Sequence, residues 1–293
     1  MAKLIPVSVI IMTKNEEKNI AKCIHSVRHF NEIFVVDSNS TDKTVEIAES
    51  LGAKVVNFTW DGKYPKKKQW SLENLPFSND WVLYVDADEE VTPGLSDEIA
   101  AVMEKTPAHN GYFVGYDYVF MNKVLKHGHQ VHKLVLFNRH EGRFLDYDDL
   151  GAANMWEVEG HYQPQINGKV ELLRHKMLHF DHDAIFDYFA RHNRYSDWEA
   201  TVRLKGLLSN PQESQKASRA LQKKVFNALP AKWAFAFLHS YFFKLGFLDG
   251  SAGFHFAFAR SVYYWQVEIK MTELRRKSNQ ASVPFVQQTN AKA

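Results

Sequence analysis

The first third of the chain alternates short apolar runs with segments of helical periodicity. Four of these runs are rich in β-branched residues and have the length of buried strands: they lie at residues 7–12, 33–36, 54–58 and 81–85. The intervening residues 17–30 and 41–51 carry apolar side chains at helical spacing, and Pro93 opens a further helix. This order predicts an α/β fold in which a mainly parallel sheet has helices on both faces. Such sheets bind ligands at the carboxyl ends of their strands.

A different pattern follows in the middle of the chain. Residues 111–137 alternate apolar and aromatic positions with polar ones, which indicates mixed or antiparallel strands, and the Gly- and Asp-rich residues 141–167 indicate a loop. Helical periodicity then returns, with Asp183 as a candidate N-cap of the first helix. The predicted helices lie at residues 183–208, 213–229, 233–245 and 251–276.

Charge and aromatic content divide the chain into the same parts. The net charge is only +2, which excludes a generally polycationic nucleic-acid binder, but residues 214–277 alone carry +8. Thirteen of the 40 aromatic residues lie between Trp233 and Trp265. We therefore expect an α/β ligand-binding domain at residues 1–182, a helical, aromatic-rich extension at 183–277, and a disordered tail at 278–293.

Composition and apolar run length favour a cytoplasmic protein. The single cysteine, Cys23, excludes a disulfide scaffold and a cysteine-based zinc cluster and fits a reducing compartment. The longest candidate span, residues 233–243, has 11 residues, whereas a transmembrane helix needs about 20. The apolar stretch at residues 4–12 has no small-residue cleavage site, so a signal peptide is not expected.

Two polar segments follow predicted strands directly. Asp86, Ala87 and Asp88 come after the fourth strand, where two carboxylates one residue apart can share a divalent cation that carries a diphosphate; Mg²⁺ and Mn²⁺ prefer such oxygen ligands. An acidic turn is the structural alternative. After the second strand, Asp37 is placed to accept a hydrogen bond from a base or ribose. The residues that follow it include Ser40 or Thr41 as the predicted N-cap of the next helix.

Taken together, these motifs resemble family-2 glycosyltransferases. The branch that they are most similar to contains the lipopolysaccharide-core β-glucosyltransferases and related exopolysaccharide enzymes. The matching segments are residues 9–17, 35–44, 60–62, 66–69 and 81–89, and the resemblance resumes at 246–250. The resemblance implies a GT-A fold, a nucleotide-diphosphate sugar donor, with uridine as the favoured base, and a divalent metal, Mn²⁺ or Mg²⁺.

The resemblance also implies roles for individual residues. The donor-binding set would comprise Thr13, Glu16, Asp37, Ser38, Lys68, Asp86, Ala87 and Asp88. Within it, Asp37 would lie near the base and Asp86 would face the ribose and the metal. Lys68 would face the diphosphate, where a cation offsets phosphate charge, whereas the preceding Lys66 and Lys67 are expected to form a solvated helix face.

Asp88 would ligate the metal, and His179 could complete the site because imidazole suits Mn²⁺. His179 and Asp181 could instead belong to a phosphohydrolase-like metal site, or His179 could be purely structural. An inverting transferase also needs a carboxylate that removes the proton of the acceptor hydroxyl. The loop at residues 156–162 departs from the branch's usual Val-His-Glu; we assign the base to Glu159, or to Glu157 if the loop is shifted.

The basic, aromatic extension favours contact with an anionic membrane surface, since Lys, Arg and aromatic side chains are enriched at that interface. Part of it must pack on the sheet, and an RNA-binding interpretation leaves the donor motifs unexplained. The expected function is therefore an inverting, metal-dependent transferase at the inner face of the cytoplasmic membrane. It would move a sugar to a glycan or lipid-linked acceptor and bind no nucleic acid. The alternatives are a non-catalytic scaffold that binds membrane or glycan, and a nucleotidyltransferase.

Overall fold

A computed structural model describes residues 4–152, 154–158, 163–180, 184–206 and 231–281. The strands are β1 (Ile5–Thr13), β2 (Phe30–Asp37), β3 (Lys54–Asn57), β4 (Trp81–Asp86), β5 (Glu89–Val91), β6 (Gly111–Phe120), β7 (Lys123–Val124), β8 (Val131–Asn138), β9 (Gly142–Arg143), β10 (Gln165–Ile166) and β11 (Val170–Phe180). The helices are α1 (Ile20–Ser26), α2 (Thr44–Ser50), α3 (Lys67–Asn74), α4 (Pro93–Glu104), α5 (Ile185–Leu204), α6 (Lys232–Leu238) and α7 (Gly250–Ala281), with a π-helical turn at His239–Phe243 and a 3₁₀ turn at Gly246–Asp249.

The main sheet is mixed and confirms the α/β fold class. Its order is β3-β2-β1-β4-β8-β6-β11-β5, with β7 paired to β6. β3, β2, β1 and β4 run parallel, whereas β8 is antiparallel to both β4 and β6. β11 returns parallel to β6. The parallel part and the antiparallel strands of residues 111–137 lie where the sequence predicts them. Among the described residues of the predicted loop at 141–167, only the small β9–β10 pair is regular structure.

Burial explains why the parallel strands are continuous apolar runs. Six of the nine residues of β1 are apolar and buried, and from Val7 onward neither face of this central strand meets water. The edge strand β3 is less buried, since Lys54 and Asn57 are exposed. In the buried central strands, polar groups can meet a ligand at the strand ends. The candidate site therefore forms at a sheet edge that the core holds in place.

The helical extension packs on the domain that precedes it. Trp198 and Val202 of α5 are buried within the main core. A second buried cluster joins the end of β6 to α5 and α7; it contains Phe120, Leu125, Tyr188, Ala252, Phe256 and Ala259. Asp249 also connects the extension to the sheet domain, because its carboxylate accepts a hydrogen bond from the backbone N–H of His127 at 2.8 Å. A Cβ at Gly253 would collide with the carbonyl oxygen of Gly246, so this turn requires glycine.

Several boundaries of the extension differ from the sequence-based prediction. α5 ends at Leu204, and Ala184 is its N-cap; Asp183 and the predicted helix at 213–229 lie outside the described residues. α7 continues to Ala281, so the prediction of a disordered tail from residue 278 is wrong for its first four residues. The rest of that tail also lies outside the described residues. Among the described helices, none combines the length and apolar character that crossing a membrane requires.

Candidate functional site

Three strand ends bring predicted binding residues to one edge of the sheet. Thr13 ends β1 and pairs in register with Asp37, the last residue of β2. On the other side of β1, Met12 pairs with Asp86, the last residue of β4. Parallel pairing thus places the two acidic residues on either side of β1, although they are 49 positions apart in the sequence.

Asp37 is buried and organises the loop that follows β2. Its carboxylate accepts hydrogen bonds from Thr13 Oγ1 at 3.0 Å, Ser40 N at 2.7 Å and Ser40 Oγ at 2.5 Å. The predicted capping of α2 by Ser40 or Thr41 is therefore wrong. Asp37 draws the Ser40 hydroxyl away from the helix, and α2 begins only at Thr44.

The loops after β1 and β2 are joined by side chain to backbone bonds. Asn15 Oδ1 accepts the backbone N–H of Thr41 at 2.8 Å, and Thr44 Oγ1 accepts that of Glu16 at 2.7 Å. The half-buried Glu16 carboxylate accepts the amide of Asn19 at 2.8 Å. Glu16 is thus held at the rim that the resemblance assigns to base and ribose, with its carboxylate engaged in a local hydrogen bond.

Two buried hydroxyls at this edge have no hydrogen-bond partner among the residues that the structure describes: Ser38 Oγ and Tyr116 OH. Ser38 directly follows Asp37, and the Tyr116 ring lies 4.6 Å from Lys133 Nζ. Leaving such a group unpaired costs about 1–3 kcal/mol, and unpaired groups are rare in native proteins. The position of Ser38 in the predicted donor set makes a bound ligand the natural partner for its hydroxyl.

A cluster of charged groups continues the edge beyond β4. Lys133 Nζ lies 3.1 Å from Asp86 Oδ2 and 2.7 Å from Glu89 Oε1. His179 Nε2 lies 3.7 Å from Asp88 Oδ2, and its Nδ1 lies 3.3 Å from the same Glu89 oxygen. Ala87, the small residue between the two aspartates, is buried. The side chains of Asp86 and Asp88 remain 36% and 23% exposed, so a ligand can reach them.

The charges and burial in the cluster shift the pKa values of Asp86 and Asp88 in opposite directions. Burial would raise the pKa of Asp86, but the ammonium groups of Lys133 and Lys68 outweigh it and hold the pKa well below its ordinary value. Burial raises the pKa of Asp88 to about 6, and the negative charges of Asp86 and Glu89 add to that rise against the opposing effect of His179. Asp88 is therefore the carboxylate of this pair that lacks sufficient positive charge nearby.

His179 shows the complementary behaviour. Burial would lower its pKa, but the Asp88 carboxylate and the hydrogen bond with Glu89 raise it. Among the described residues, no group of three or more His, Cys, Asp or Glu side chains could hold a metal ion. Mg²⁺ is commonly held by one or two carboxylates together with substrate phosphates rather than by an all-protein cage. The under-neutralised Asp88 with His179 beside it fits such an incomplete set.

The lysines at the start of α3 differ from the prediction. Lys66 and Lys67 are both buried and do not form a solvated helix face. Lys66 Nζ lies 2.8 Å from Asp149 Oδ2, and Lys67 Nζ donates to the carbonyl oxygen of Thr13 at 2.8 Å. Lys68 is half-buried, and its charge is one of those that lower the pKa of Asp86. The structure thus brings the predicted diphosphate residue close to the carboxylate edge.

The predicted base lies in a segment that is only partly described. Glu159 falls outside the described residues, as do Asp181 and its neighbours before α5. Glu157, the alternative base, is described and half-buried, and its carbonyl oxygen accepts the backbone N–H of Lys67 at 2.8 Å. This bond attaches the loop that carries the candidate bases to the start of α3.

Lys133, Glu89 and the aromatic residues around them, such as Tyr116, are site residues that the sequence pattern did not predict. Lys133 lies in β8 directly before the buried apolar run at residues 134–137, which was a usable signal, because a charged residue next to a buried run needs a partner. Tyr195 of α5 was also missed; burial raises its pKa, and the charges of Asp86 and Asp88 contribute to the rise. The extension therefore contributes to the surroundings of the site.

Comparison with known proteins gives a consistent result. The model of the family described as "Glycosyl transferase family 2" matches residues 8–156. An uncharacterized glycosyltransferase of Rickettsia conorii is 30% identical over 285 residues, which cover 93% of this chain and 90% of the relative. The lipopolysaccharide core biosynthesis glycosyltransferase LpsC of Rhizobium meliloti is 29% identical over 213 residues, with 68% of this chain and 72% of LpsC covered.

Among solved structures, a match is glucosyl-3-phosphoglycerate synthase from Mycobacterium tuberculosis in complex with Mn²⁺, uridine diphosphate and glucosyl-3-phosphoglycerate. It shares 25% sequence identity at a TM-score of 0.30, and the alignment covers 38% of this chain and 43% of that chain.

Proposed function

The chain belongs to glycosyltransferase family 2, and we propose that it is an inverting enzyme that transfers one sugar from a nucleotide-diphosphate donor, uridine diphosphate in particular, to a glycan or lipid-linked acceptor. The observation that carries this proposal is the edge formed by Asp37, Asp86 and Asp88. Asp37 and Asp86 end parallel strands, Asp88 lies in the turn after Asp86, and the buried Ser38 hydroxyl beside Asp37 has no partner among the described residues.

In this proposal the loops after β1 and β2 bind the nucleoside. Asp37 is fixed by Thr13 and Ser40 and can accept one further hydrogen bond from the base, since each carboxylate oxygen has two lone pairs. Ser38 donates to the ligand, and Glu16 lines the ribose side. These groups are preorganised by the hydrogen bonds between the two loops, which lowers the entropy cost of binding.

Asp88 and His179 would hold the divalent cation, Mn²⁺ or Mg²⁺. When bound, the cation would neutralise charge that develops on the leaving diphosphate. Lys68 adds positive charge on the same side, while Asp86, which Lys133 keeps ionised, faces the ribose. These residues favour the charge distribution that appears as the sugar–phosphate bond breaks.

The protein must also remove the proton of the acceptor hydroxyl as that oxygen attacks the anomeric carbon. We assign this role to Glu159, with Glu157 as the alternative. Support for a base in this loop comes from the bond between Glu157 O and Lys67 N, since Lys67 is also bonded to Thr13 at the donor edge. The site would align the two reactants, which supplies much of the rate enhancement of a two-substrate reaction.

We place the acceptor at the inner face of the cytoplasmic membrane. α6, the π-helical turn and the start of α7 expose an apolar surface, which we call the aromatic face. Its most exposed side chains are Leu238, Phe242, Phe243, Leu245, Phe247, Leu248 and Phe258. Contiguous exposed apolar patches of this kind mark interaction surfaces. Lys232 and Lys244 lie at the ends of the segment and would favour anionic lipid.

Product analysis with a panel of nucleotide sugars tests the reaction class. Slow release of nucleoside diphosphate in the absence of acceptor, dependent on Mn²⁺ or Mg²⁺, is the expected result. Release of pyrophosphate would identify a nucleotidyltransferase, and no turnover of any donor would favour the non-catalytic scaffold.

The pair of variants Glu159→Gln and Glu157→Gln tests the base. Because the amide keeps the shape of the carboxylate but cannot accept a proton, Glu159→Gln should retain donor affinity and lose about 10²–10⁴-fold in turnover. Donor affinity measured by calorimetry and turnover measured with acceptor separate these effects. If Glu157→Gln is inactive and Glu159→Gln is active, the catalytic base is Glu157 and not Glu159.

A further inference from the structure

A second charged region lies on the other side of Tyr118 from the carboxylate cluster. Tyr118 pairs in register with His179, and the two rings are 4.9 Å apart. Its ring also lies 5.2 Å from that of Phe256 on α7. One helical turn beyond Phe256, on the same face of α7, is Arg260. A single aromatic ring thus separates the predicted metal ligand from the surroundings of this arginine.

The loop before β8 is held against the same region. Gly128 N donates to the carbonyl oxygen of Lys244 at 2.8 Å, and His129 N donates to Ser240 Oγ at 3.1 Å. Gly128 has a positive φ of 85°, which suits glycine at this close approach. These bonds bring the imidazole of His129 next to the π-helical turn that carries His239.

Arg260 is partly buried, and no Asp or Glu among the described residues forms an ion pair with it. Its neighbours are tyrosines: Tyr264 hydrogen-bonds to it, and Tyr118 and Tyr188 lie nearby. No ion pair between the described residues includes Arg260. A guanidinium removed from water and left without a carboxylate is costly, so an anion at this position would be strongly favoured.

Other basic side chains lie around Arg260 and His129. Arg260 is the largest influence on His129 and lowers its pKa to about 3; burial, His239, His132 and Lys244 act in the same direction. The acidic side chain that contacts this loop, Asp249, is bonded to the backbone N–H and the imidazole of His127. The region, which we call the cationic subsite, consists of the cations Arg260 and Lys244 and the neutral imidazole of His129, with the tyrosines around them.

We propose that the cationic subsite binds a phosphate group of the acceptor and so orients the acceptor hydroxyl toward the donor. This inference rests on the proposed function. Arginine is the side chain that best matches phosphate, through two parallel hydrogen bonds. The subsite lies between the carboxylate cluster and the aromatic face, so a phosphorylated acceptor that approaches from a membrane would meet Arg260 before its hydroxyl reaches the donor.

Binding of inorganic phosphate to the full-length protein, measured by calorimetry with uridine diphosphate and Mn²⁺ at saturation, tests the subsite while the donor site is filled. We expect wild type to bind phosphate and Arg260→Gln to bind it about tenfold or more weakly, as for other hydrogen bonds to charged groups. Arg275→Gln removes the same charge from an exposed position of the same helix and should bind phosphate as wild type does. Equal phosphate affinity of wild type and Arg260→Gln would overturn the proposal.

Lys244→Gln provides a second variant whose folding is not at risk, because Lys244 is exposed. It should weaken phosphate binding a few-fold, since a partly screened cation contributes less than a buried one. If circular dichroism shows that Arg260→Gln does not fold, unchanged phosphate affinity in Lys244→Gln overturns the proposal on its own.

Two further arms distinguish the source of the phosphate. Competition by glucose 6-phosphate but not by phosphatidic acid vesicles supports a sugar phosphate, and the reverse supports a lipid headgroup; competition by neither contradicts the subsite. The proposed function fails separately. If the protein turns over no nucleotide sugar but binds phosphate, and Arg260→Gln abolishes that binding, the cationic subsite is supported and the proposed donor reaction is contradicted.

Discussion

Two networks of polar side chains lie close together in this fold. They differ in how many of their charged and hydrogen-bonding groups have partners. In the first, Lys66 and Asp149 form an ion pair in which both side chains are 2% exposed. Trp198 Nε1 donates to the same Asp149 oxygen at 2.7 Å. The three residues come from α3, a loop and α5, so this network, which we call the anchor network, fastens the extension to the sheet domain.

The second network is the carboxylate cluster at the sheet edge. Asp86 and Asp88 are partly exposed, the pKa of Asp88 is raised by burial, and Ser38 Oγ and Tyr116 OH have no partner among the described residues. The comparison indicates a division of roles. A network that is complete contributes to stability, whereas an incomplete one lies where a ligand supplies the missing charge and hydrogen bonds.

Breaking the anchor network should have the largest effect on folding. Asp149→Leu removes the carboxylate that pairs with the buried Lys66 ammonium, and removing one partner of a buried pair costs about 3–5 kcal/mol. Urea denaturation should show this loss. The double variant Lys66→Met/Asp149→Leu removes both charges and should regain much of the stability; equal instability of the single and double variants would show that packing, and not the ion pair, holds this junction.

Breaking the carboxylate cluster should change activity without destabilising the fold. Asp88→Asn keeps the side-chain volume but removes the charge that would hold the cation, and we expect turnover to fall at least about 100-fold, since outer-shell changes alone cost 10–100-fold. The melting temperature should stay the same or rise, because burial disfavours the charged Asp88 in the folded protein. Near wild-type turnover with added Mn²⁺ would rule out Asp88 as a metal ligand.

Lys67 lies between the two networks, and the pH dependence of protein stability tests whether its ammonium group is buried at a cost. Burial lowers its pKa to about 8 from 10.5, so between these values the unfolded chain holds a proton that the folded protein does not. Stability from this group therefore rises with pH, by up to about 1.4 kcal/mol per pH unit.

Denaturation of wild type and Lys67→Met at pH 7.5 and 9.5 measures this slope. The free energy of unfolding of wild type should increase relative to that of Lys67→Met as the pH rises. Lys63→Met, at an exposed position in the preceding loop, is the control and should show no such difference. Parallel pH profiles for wild type and Lys67→Met would mean that Lys67 stays charged when folded.

The smallest effect is expected at the aromatic face. Phe243→Ser and Phe247→Ser should each weaken binding to phosphatidylglycerol vesicles several-fold, since partial burial of one aromatic ring contributes about 1 kcal/mol. The loss should persist at high salt, because apolar burial is not screened. Leu172→Ser, at a similarly exposed apolar side chain of β11, should bind vesicles as wild type does in a co-sedimentation assay. Equal binding of all variants would exclude this face as the membrane contact.

Much of the fold and part of the candidate site follow from local sequence pattern. Strand length, helical spacing and the position of polar residues at strand ends predict the parallel sheet and place Asp37, Asp86 and Asp88 at its edge. These features are encoded within windows of ten to twenty residues, where periodicity alone distinguishes strand from helix. The ordered motifs in those windows also carry the family resemblance that the comparisons confirm.

Tertiary structure alone decided which charged residues are buried and with which partners. Three consecutive lysines at the start of α3 resemble a solvated surface, yet Lys66 meets Asp149 across 83 positions and Lys67 meets Thr13 across 54. Lys133 reaches Asp86 across 47 positions in the same way. The local sequence pattern cannot predict such pairs. A buried charge is stable only when its partner lies beside it in the folded protein, and here each partner comes from a distant segment of the chain.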